Sequence, residues 1–286
     1  MAIVLDNITY TYGVGTPFEK TALHGISLTI ENGEFLGIIG HTGSGKSTFV
    51  QHLNGLLHPT TGTVTVNGVD ISASTEDAKK MRHKVGMVFQ YPEHQLFEET
   101  IAEDIAFGPK NLGLSADEVD ERVREAMKFV GLDYNTYAER SPFHLSGGQM
   151  RRVAIAGVVA MDPDFLVLDE PSAGLDPFGR EEIFEEIIRL HKEKGITVIL
   201  VSHNMEDISR MASRLVVLDK GRIVLDGQPM DIFNNRRDEL QAVGVDVPPV
   251  SVTMEYLREQ GLDVSNCVLS VDDAVQAILE GGSHVK

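Results

Sequence analysis

The sequence predicts an α/β fold built around a mainly parallel β-sheet. Short runs rich in β-branched residues alternate with segments whose apolar residues recur at helical spacing, and strands that alternate with helices in this way indicate a parallel sheet. The run at residues 35–39 leads into a glycine-rich loop and then into a predicted helix. A second apolar run, at residues 165–168, ends in two adjacent carboxylates.

Composition limits the classes of protein to consider. The chain has 286 residues, which is enough for one large domain or two modest ones, and a formal net charge of −18. That acidic balance argues against a protein that wraps nucleic acid, although a local basic pocket for a small phosphate ligand remains possible. The single cysteine, Cys267, excludes an internal disulfide and favours a reducing, cytoplasmic setting.

No segment resembles a membrane span or a signal peptide. The longest apolar stretches fall far short of the roughly 20 residues that a spanning helix requires. The N-terminal residues lack a basic region followed by a long apolar one. We therefore expect that, if the protein works at a membrane, another chain holds it there.

The N-terminal half is predicted to be mainly β up to residue 90 and mainly helical from 91 to 160. An Asn67-Gly68 pair between two apolar runs predicts a hairpin turn. Predicted strands are residues 2–8, 26–30, 35–39, 63–66 and 85–89, and predicted helices are residues 47–57, 116–130 and 146–161.

Strands return in the C-terminal half. They are predicted at residues 165–168, 197–201, 215–218 and 223–225, with a helix at 178–194 that Asp176 and Pro177 begin. Pro248-Pro249 precedes two short predicted helices, at 251–259 and 270–280. We divide the chain into a main domain, residues 1–229, whose helical part spans about 91–160, and a small acidic helical extension, residues 230–286.

The glycine-rich loop has the spacing of a phosphate-binding loop. Gly40 is followed by four residues and then by Gly45-Lys46-Ser47, between a predicted strand and a predicted helix. Glycines allow successive backbone N–H groups to turn toward an anion at the positive end of the helix. Lys46 then supplies a charge for the β- and γ-phosphates, and the Ser47 hydroxyl a ligand for Mg²⁺. The alternative is an ordinary glycine-rich turn.

The carboxylates Asp169 and Glu170 point opposite ways from the end of a strand, so they can divide two tasks. Asp169 is predicted to hold Mg²⁺ through water, and Glu170 to polarise the water that attacks the γ-phosphate. An acidic strand end exposed to solvent is the competing interpretation, and the phosphate loop upstream weakens it.

Several motifs then resemble those of ATP-binding cassette (ABC) ATPases, in the same order. The run Leu145-Ser146-Gly147-Gly148-Gln149, continued by Arg151-Arg152, matches the signature motif, and it would otherwise be a plain Ser-capped helix start. Gln90 resembles the Q-loop glutamine, residues 172–176 the D-loop, and His203 the switch histidine. The alternative interpretations are a polar residue at a strand end for Gln90, a helix cap for Asp176 and an ordinary loop histidine for His203. For the aromatic ring that stacks on adenine, Tyr12 fits best and Tyr10 competes.

Within that family the chain is most similar to the ATPases of energy-coupling factor (ECF) transporters, and to the second of their two paralogues. The similarity rests on Gly40-His41-Thr42-Gly43, on the runs at 51–56, 91–97, 106–109 and 174–180, and on the acidic extension. It implies the P-loop NTPase fold of ABC ATPases, with a RecA-like core, an antiparallel β subdomain, an inserted α-helical subdomain and a small C-terminal extension.

The resemblance also implies cofactors and partners. ATP and Mg²⁺ would lie between this subunit and a second ATPase subunit, which is either a paralogue or a second copy. The two ATPase subunits would be peripheral membrane proteins on the cytoplasmic side. Hydrolysis would drive uptake of a vitamin or metal ion through a transmembrane T subunit and a substrate-binding S subunit. The implied catalytic residues are Glu170 and His203, and Ser47, Gln90 and Asp169 would bind Mg²⁺. The implied nucleotide contacts are Tyr12, Gly40, His41, Thr42, Gly43, Ser44, Gly45, Lys46, Ser47, Thr48, Gln90, Asp169, Ser146, Gly148, Gln149 and Asp176.

An acidic stretch after Gln90 is expected to meet arginines on a T-subunit helix, and a solvated acidic face is its alternative. Its members are Glu93, Glu98, Glu99, Glu103 and Asp104. Three other functions compete: a soluble ABC ATPase of DNA repair or translation, a module that binds ATP without hydrolysing it, and another class of ABC importer. One phosphate loop and the net charge of −18 argue against the first, and intact Glu170 and His203 against the second.

Overall fold

The computed structural model describes residues 1–264 and 268–281, so Cys267 lies outside the described residues. The strands are β1 (Ala2–Tyr12), β2 (Lys20–Glu31), β3 (Phe35–Ile39), β4 (Thr61–Val66), β5 (Val69–Asp70), β6 (Val85–Val88), β7 (Phe165–Asp169), β8 (Thr197–Val201), β9 (Arg214–Asp219) and β10 (Arg222–Gly227). The helices are α1 (Lys46–Leu53), α2 (Glu76–His83), α3 (Ile101–Asn111), α4 (Ala116–Phe129), α5 (Tyr134–Tyr137), α6 (Gly147–Val159), α7 (Pro177–Lys194), α8 (Met205–Met211), α9 (Pro229–Asn235), α10 (Arg237–Ala242), α11 (Pro249–Glu259) and α12 (Val271–Gly281).

A six-stranded sheet in the order β10-β9-β3-β8-β7-β6 forms the centre of the molecule. Its strands are parallel except for the antiparallel edge strand β10. Every residue of β3, β6, β7 and β8 is buried, because elements cover both faces of the sheet. The predicted parallel sheet is confirmed. The phosphate loop follows β3, the two carboxylates lie at the end of β7, and both are at the same edge of the sheet.

A second, antiparallel sheet in the order β2-β1-β4-β5 packs over α1 and the central sheet. The predicted hairpin turn joins β4 to β5, where Val66 pairs with Val69. Asn67 and Gly68 both have positive φ, 52° and 80°, as the twist-matched two-residue turn requires. This sheet carries Tyr12 toward the phosphate loop.

The segment between residues 91 and 160 contains the helices α3, α4, α5 and α6. Helices α3, α4 and α6 pack on one another and on the central sheet through a shared apolar core. Among the described helices, α2, α3, α5, α8, α9 and α10 were not predicted individually. Helix α2 is strongly polar and α3 contains Pro109, so neither has a clear helical signal in the sequence. Helix α1 ends at Leu53 rather than at residue 57, since Gly55 follows with a φ of 73°.

The C-terminal part divides between two cores. Ile232, Phe233, Leu240, Val245 and Val247 are buried in the main core beneath the central sheet. Helices α11 and α12 enclose a small separate core that contains Met254, Val264, Val268 and Ala274. The boundary at residue 230 stays a prediction, and the packing unit that is separate from the main core begins after Val247.

None of the helices in the described part of the chain is both long enough and apolar enough to cross a bilayer.

Candidate functional site

A cavity of about 980 Å³ lies at the edge of the central sheet where β3 and β7 end. It brings together most of the residues that the sequence singled out, although they come from separate segments of the chain. The predicted residues that line it are Tyr12, Gly40, His41, Thr42, Gly43, Gly45, Lys46, Ser47, Thr48, Gln90, Asp169, Glu170 and His203. Ser44 is fully buried and does not line the cavity.

The loop between β3 and α1 has the backbone of an anion-binding nest. Gly40, Gly43 and Gly45 have φ of 152°, 83° and 105°, which other residues rarely adopt. A Cβ on Gly40 would lie 2.2 Å from the Leu218 carbonyl oxygen, so this position has no room for a side chain. The loop therefore requires glycine both for its conformation and for its close contact with β9.

The Lys46 side chain folds back over this loop. Its Nζ donates hydrogen bonds to the carbonyl oxygens of Gly40, at 2.6 Å, and His41, at 3.1 Å. Burial lowers the pKa of the ammonium group, and the carboxylates of Glu170 and Asp169 oppose that shift. The cation thus stands between the loop and the two acids at the end of β7.

Asp169 and Glu170 are both buried, with exposed fractions of 7% and 9%. Burial raises the pKa of the Asp169 carboxyl, and a hydrogen bond from the Ser47 hydroxyl opposes that shift. Burial likewise raises the pKa of Glu170, and His203 opposes that shift through a contact of 2.7 Å between its Nδ1 and Glu170 Oε1. Glu170 also has a φ of 53°, a strained conformation of the kind that concentrates at functional sites.

Tyr12, rather than Tyr10, lines the cavity. The Tyr12 ring is 42% exposed, and its hydroxyl lies 3.0 Å from Thr48 Oγ1 at the start of α1. Tyr10 packs edge-on against Tyr12 and against His52, and so supports the Tyr12 ring from behind. The geometry therefore favours Tyr12 of the two aromatic residues that the sequence offered.

Comparison with known proteins agrees with this arrangement. A sequence model of the ABC transporter family matches residues 23–173. The chain is 53% identical, over 98% of its length, to the energy-coupling factor transporter ATP-binding protein EcfA2 of Clostridium tetani, and it covers 97% of that protein. It is 54% identical to EcfA2 of Clostridium acetobutylicum over the same shares of each chain.

This chain belongs to the family of ECF transporter ATP-binding proteins.

Solved structures of ABC ATPases share the fold. The structure of cbiO1 from Clostridium perfringens, described as part of the ABC transporter complex cbiONQ, superposes with a TM-score of 0.73 at 36% identity, covering 84% of this chain and 94% of that one. The dimeric, post-hydrolysis structure of the ATP-binding cassette MJ0796 bound to ADP and Pi gives a TM-score of 0.70 at 32% identity, covering 79% and 98%. The ABC ATPase fold predicted from the sequence is confirmed.

The residues that resemble the ABC signature and D-loop lie outside the cavity. Ser146 caps α6, where its Oγ accepts from the Gln149 N–H at 3.3 Å and Gln149 Oε1 accepts from the Ser146 N–H at 3.1 Å. A Cβ on Gly148 would meet no atom within 4 Å. Asp176 caps α7 through the Gly179 N–H at 2.7 Å. The cap predicted for Asp176 is confirmed. The four residues Ser146, Gly148, Gln149 and Asp176 do not line the cavity of their own chain.

Sequence reasoning missed the rest of the cavity wall, because no motif marks it. It comes from β2, from the first residue of α8, from the turn between β9 and β10, and from the segment after α10. The His41 Nε2 lies 2.9 Å from Asp219 Oδ1 and joins the phosphate loop to the end of β9. The unpredicted lining residues are Lys20, Thr21, Ala22, His24, Met205, Lys220, Gly221, Gly244, Val245 and Asp246.

Three of the five acidic residues after Gln90 have partners within the chain. Glu93 pairs with Arg151 at 3.1 Å. Asp104 accepts from the N–H groups of Phe97 and Glu98, and Glu103 accepts from the Thr100 hydroxyl. Local structure therefore already uses three of these five carboxylates, and their docking on a partner stays a prediction.

An exposed aromatic pair adjoins the two remaining acids, Glu98 and Glu99. Phe97 and Phe107 are 57% and 46% exposed, and their rings pack edge to face at 4.9 Å. We call Phe97, Glu98, Glu99 and Phe107 the aromatic–acidic patch. Exposed apolar side chains beside charges are typical of interaction surfaces.

Proposed function

We propose that this ECF ATPase binds ATP with Mg²⁺ between two ATPase subunits and hydrolyses it to drive uptake of a vitamin or metal ion through partner membrane subunits. The observation that carries the proposal is one cavity holding the Lys46 loop, Tyr12 and the contact between Glu170 and His203. Membership of the ECF ATPase family supports the transport role, and the residue roles rest on the geometry.

The phosphate loop holds the nucleotide in this proposal. Backbone N–H groups of residues 40–48 and the Lys46 ammonium would bind the phosphates at the N-terminus of α1, where the helix dipole favours negative charge. The Tyr12 ring, held by Thr48 and Tyr10, would stack on the adenine base. Such a contact contributes roughly 1–3 kcal/mol and depends little on the identity of the base.

The residues between Lys46 and Glu170 suit Mg²⁺. The Ser47 hydroxyl, the Asp169 carboxylate and the Gln90 amide lie on one cavity, and Ser47 already contacts Asp169. These oxygen donors are few, as expected for an ion that keeps its remaining positions for phosphates and water. Bound there, Mg²⁺ would neutralise charge on the β- and γ-phosphates.

Glu170 is placed to act as the general base. Its carboxylate would accept a proton from the attacking water, and His203 would hold the carboxylate in position through Nδ1. The raised pKa of Glu170 makes the carboxylate a stronger base, while Lys46 and His203 favour its ionised form.

The signature residues would complete the site of a second subunit. Ser146, Gly148, Gln149 and Asp176 lie outside their own chain's cavity, and the open N-terminus of α6 offers N–H groups to an anion. A head-to-tail pair, with a paralogue or a second copy, would place each signature helix over the other chain's ATP. The similar cassette MJ0796 is dimeric with ADP and Pi bound.

We expect the purified chain alone to be a poor ATPase at low concentration, because a shared site requires two subunits. Specific activity should rise with protein concentration, or on adding a paralogous ATPase. ATP should shift Glu170→Gln toward the dimer in size-exclusion chromatography with light scattering. Specific activity that stays constant across a hundredfold dilution would contradict the shared site.

The aromatic–acidic patch is the proposed docking surface for a transmembrane T subunit, which would bring the chain to the cytoplasmic face of the membrane together with an S subunit. Phe97 and Phe107 supply apolar area, and Glu98 and Glu99 suit arginines on a partner helix. The segment follows Gln90, so docking can respond to the occupancy of the cavity.

Reversing Glu98 and Glu99 to Lys should abolish co-purification with a T subunit and uptake, while free ATPase activity stays within a few-fold of normal. Like charges against the partner's arginines cost several kcal/mol at an interface. The control is Glu121→Lys with Glu125→Lys, two exposed acids on α4 that are not members of the patch. Uptake that survives the first reversal but not Lys46→Ala would place docking elsewhere.

A further inference from the structure

A buried arginine joins three separate segments beside the cavity. Arg151, on α6, is 2% exposed. Its Nε and Nη2 donate to both carboxylate oxygens of Glu93 at 3.1–3.2 Å, and its Nη1 donates to the Pro171 carbonyl oxygen at 3.0 Å. The planar guanidinium therefore holds a carboxylate on one side and a backbone carbonyl on the other, which the flexible single ammonium of a lysine cannot reproduce.

The carbonyl that Arg151 holds belongs to the residue directly after Glu170. Glu170 has a φ of 53°, so surrounding contacts must stabilise its backbone. Its N–H donates to the Val201 carbonyl oxygen at 3.0 Å, which holds the chain on the β7 side. On the other side, the Glu170 carbonyl oxygen accepts from the Ala173 N–H at 3.1 Å. Pro171 has no N–H to donate, and its carbonyl, one peptide further along, is the group that Arg151 holds.

Glu93 in turn holds Arg151. A guanidinium this far from solvent requires a charged and hydrogen-bonded partner, and removing one member of such a pair leaves an uncompensated charge. Glu93 lies in the 3-10 turn Pro92–Gln95, between Gln90 and the aromatic–acidic patch. The neighbouring Arg152 pairs instead with Glu182 on α7, so the two arginines serve different contacts.

We propose that Arg151 is a positioning residue for the Glu170 carboxylate, and that Glu93 fixes the position of Arg151. This inference rests on the proposed role of Glu170 as the base. The guanidinium does not line the cavity. It holds the peptide between Pro171 and Ser172, one residue beyond Glu170, and thereby sets the direction of the Glu170 side chain toward the γ-phosphate. Glu93 links this arrangement to the segment that carries the proposed docking surface.

Steady-state kinetics and ATP binding of the full-length ATPase dimer test the proposal, with Arg151→Met, Glu93→Gln and the double variant. Arg151→Met should lower kcat about tenfold or more, because small misplacements of a catalytic group are costly, and leave the Kd for ATP within about twofold. Glu93→Gln should lower kcat by at least about threefold. The kcat of the double variant should lie within about twofold of that of Arg151→Met, because both changes break the same contact between Glu93 and Arg151.

Arg214→Met is the matched control. Arg214 also pairs with a carboxylate, Asp226, and donates to a carbonyl, that of Thr29, but at the opposite end of β9 from the cavity. Urea unfolding of each variant should show a loss of stability for both arginine changes, with kcat reduced only for Arg151→Met. Should Arg151→Met fail to fold, the milder Glu93→Gln decides through its kcat.

Normal kcat in Arg151→Met, or in Glu93→Gln, would overturn the proposal. So would a double variant whose loss is the product of the single losses, or an equal loss of kcat in Arg214→Met. Glu170→Gln, assayed in parallel, distinguishes a failure of the proposed base from a failure of the inference about Arg151. Normal hydrolysis by Glu170→Gln overturns the base and this inference together, whereas an inactive Glu170→Gln with an active Arg151→Met overturns the inference alone.

Discussion

Glu170→Gln is expected to bind ATP with unchanged affinity and to lose hydrolysis by about two to four orders of magnitude, the usual contribution of a positioned base. The amide is nearly isosteric and can still contact His203, so the cavity keeps its shape. It cannot accept a proton from the attacking water. Phosphate release under saturating ATP measures the loss, and equilibrium binding of a fluorescent ATP analogue measures affinity.

The matched control for this change is Glu206→Gln. Glu206 is an exposed acid in the first turn of α8, close in sequence to His203, and its side chain does not line the cavity. Hydrolysis by this variant should stay within about twofold of the parent. Near-normal turnover in Glu170→Gln would falsify the assignment of the base and direct attention to another carboxylate.

Lys46→Ala is expected to abolish tight ATP binding and, with it, hydrolysis. The Lys46 ammonium lies within the phosphate loop, where it contacts the carbonyl groups of Gly40 and His41. Alanine removes this positive charge and leaves the β- and γ-phosphates facing Asp169 and Glu170, whose carboxylates repel them. Isothermal titration with ATP and Mg²⁺ should show no saturable binding at concentrations that saturate the parent.

Lys84→Ala controls for the loss of a lysine as such. Lys84 forms a partly exposed ion pair with Asp164, at the end of the sheet opposite the cavity. Its replacement should leave ATP affinity unchanged and lower stability by about 1 kcal/mol or less. If Lys46→Ala still bound ATP as tightly as Lys84→Ala, the loop would not be the phosphate site.

Local sequence signals predicted most of the central sheet. The strands Phe35–Ile39 and Thr197–Val201 have the predicted bounds, because a strand buried on both faces is a continuous apolar run between polar turns. Helices without such contrast were harder to predict. Helix α2 is almost wholly polar. Its start depends on the Thr75 cap, and its position depends on its packing against β5 and β6.

The candidate site likewise contains residues that local sequence signals predict and residues that they do not. Three groups of site residues lie at or just after the ends of strands: the phosphate loop after β3, Asp169-Glu170 at the end of β7, and His203 two residues after β8. Each could therefore be placed at a strand end from its own segment of sequence. Lys20, Lys220 and Asp246 line the same cavity without any motif. Their positions depend on how β2, the turn after β9 and the segment after α10 pack, which involves contacts far apart in the chain.

The sequence by itself determined the conformation of the phosphate loop and the order of the chemical groups around it, because glycines at positive φ and caps such as Ser146 and Asp176 act through neighbouring backbone atoms. Tertiary structure alone decided which of the similar groups have a partner. Glu93 and Glu98 look alike in the sequence, but Glu93 pairs with the buried Arg151, since the folding of α6 against the turn at Pro92–Gln95 brings the two together. Whether two buried charged side chains form an ion pair depends on the distance between them in the folded structure, and packing sets that distance.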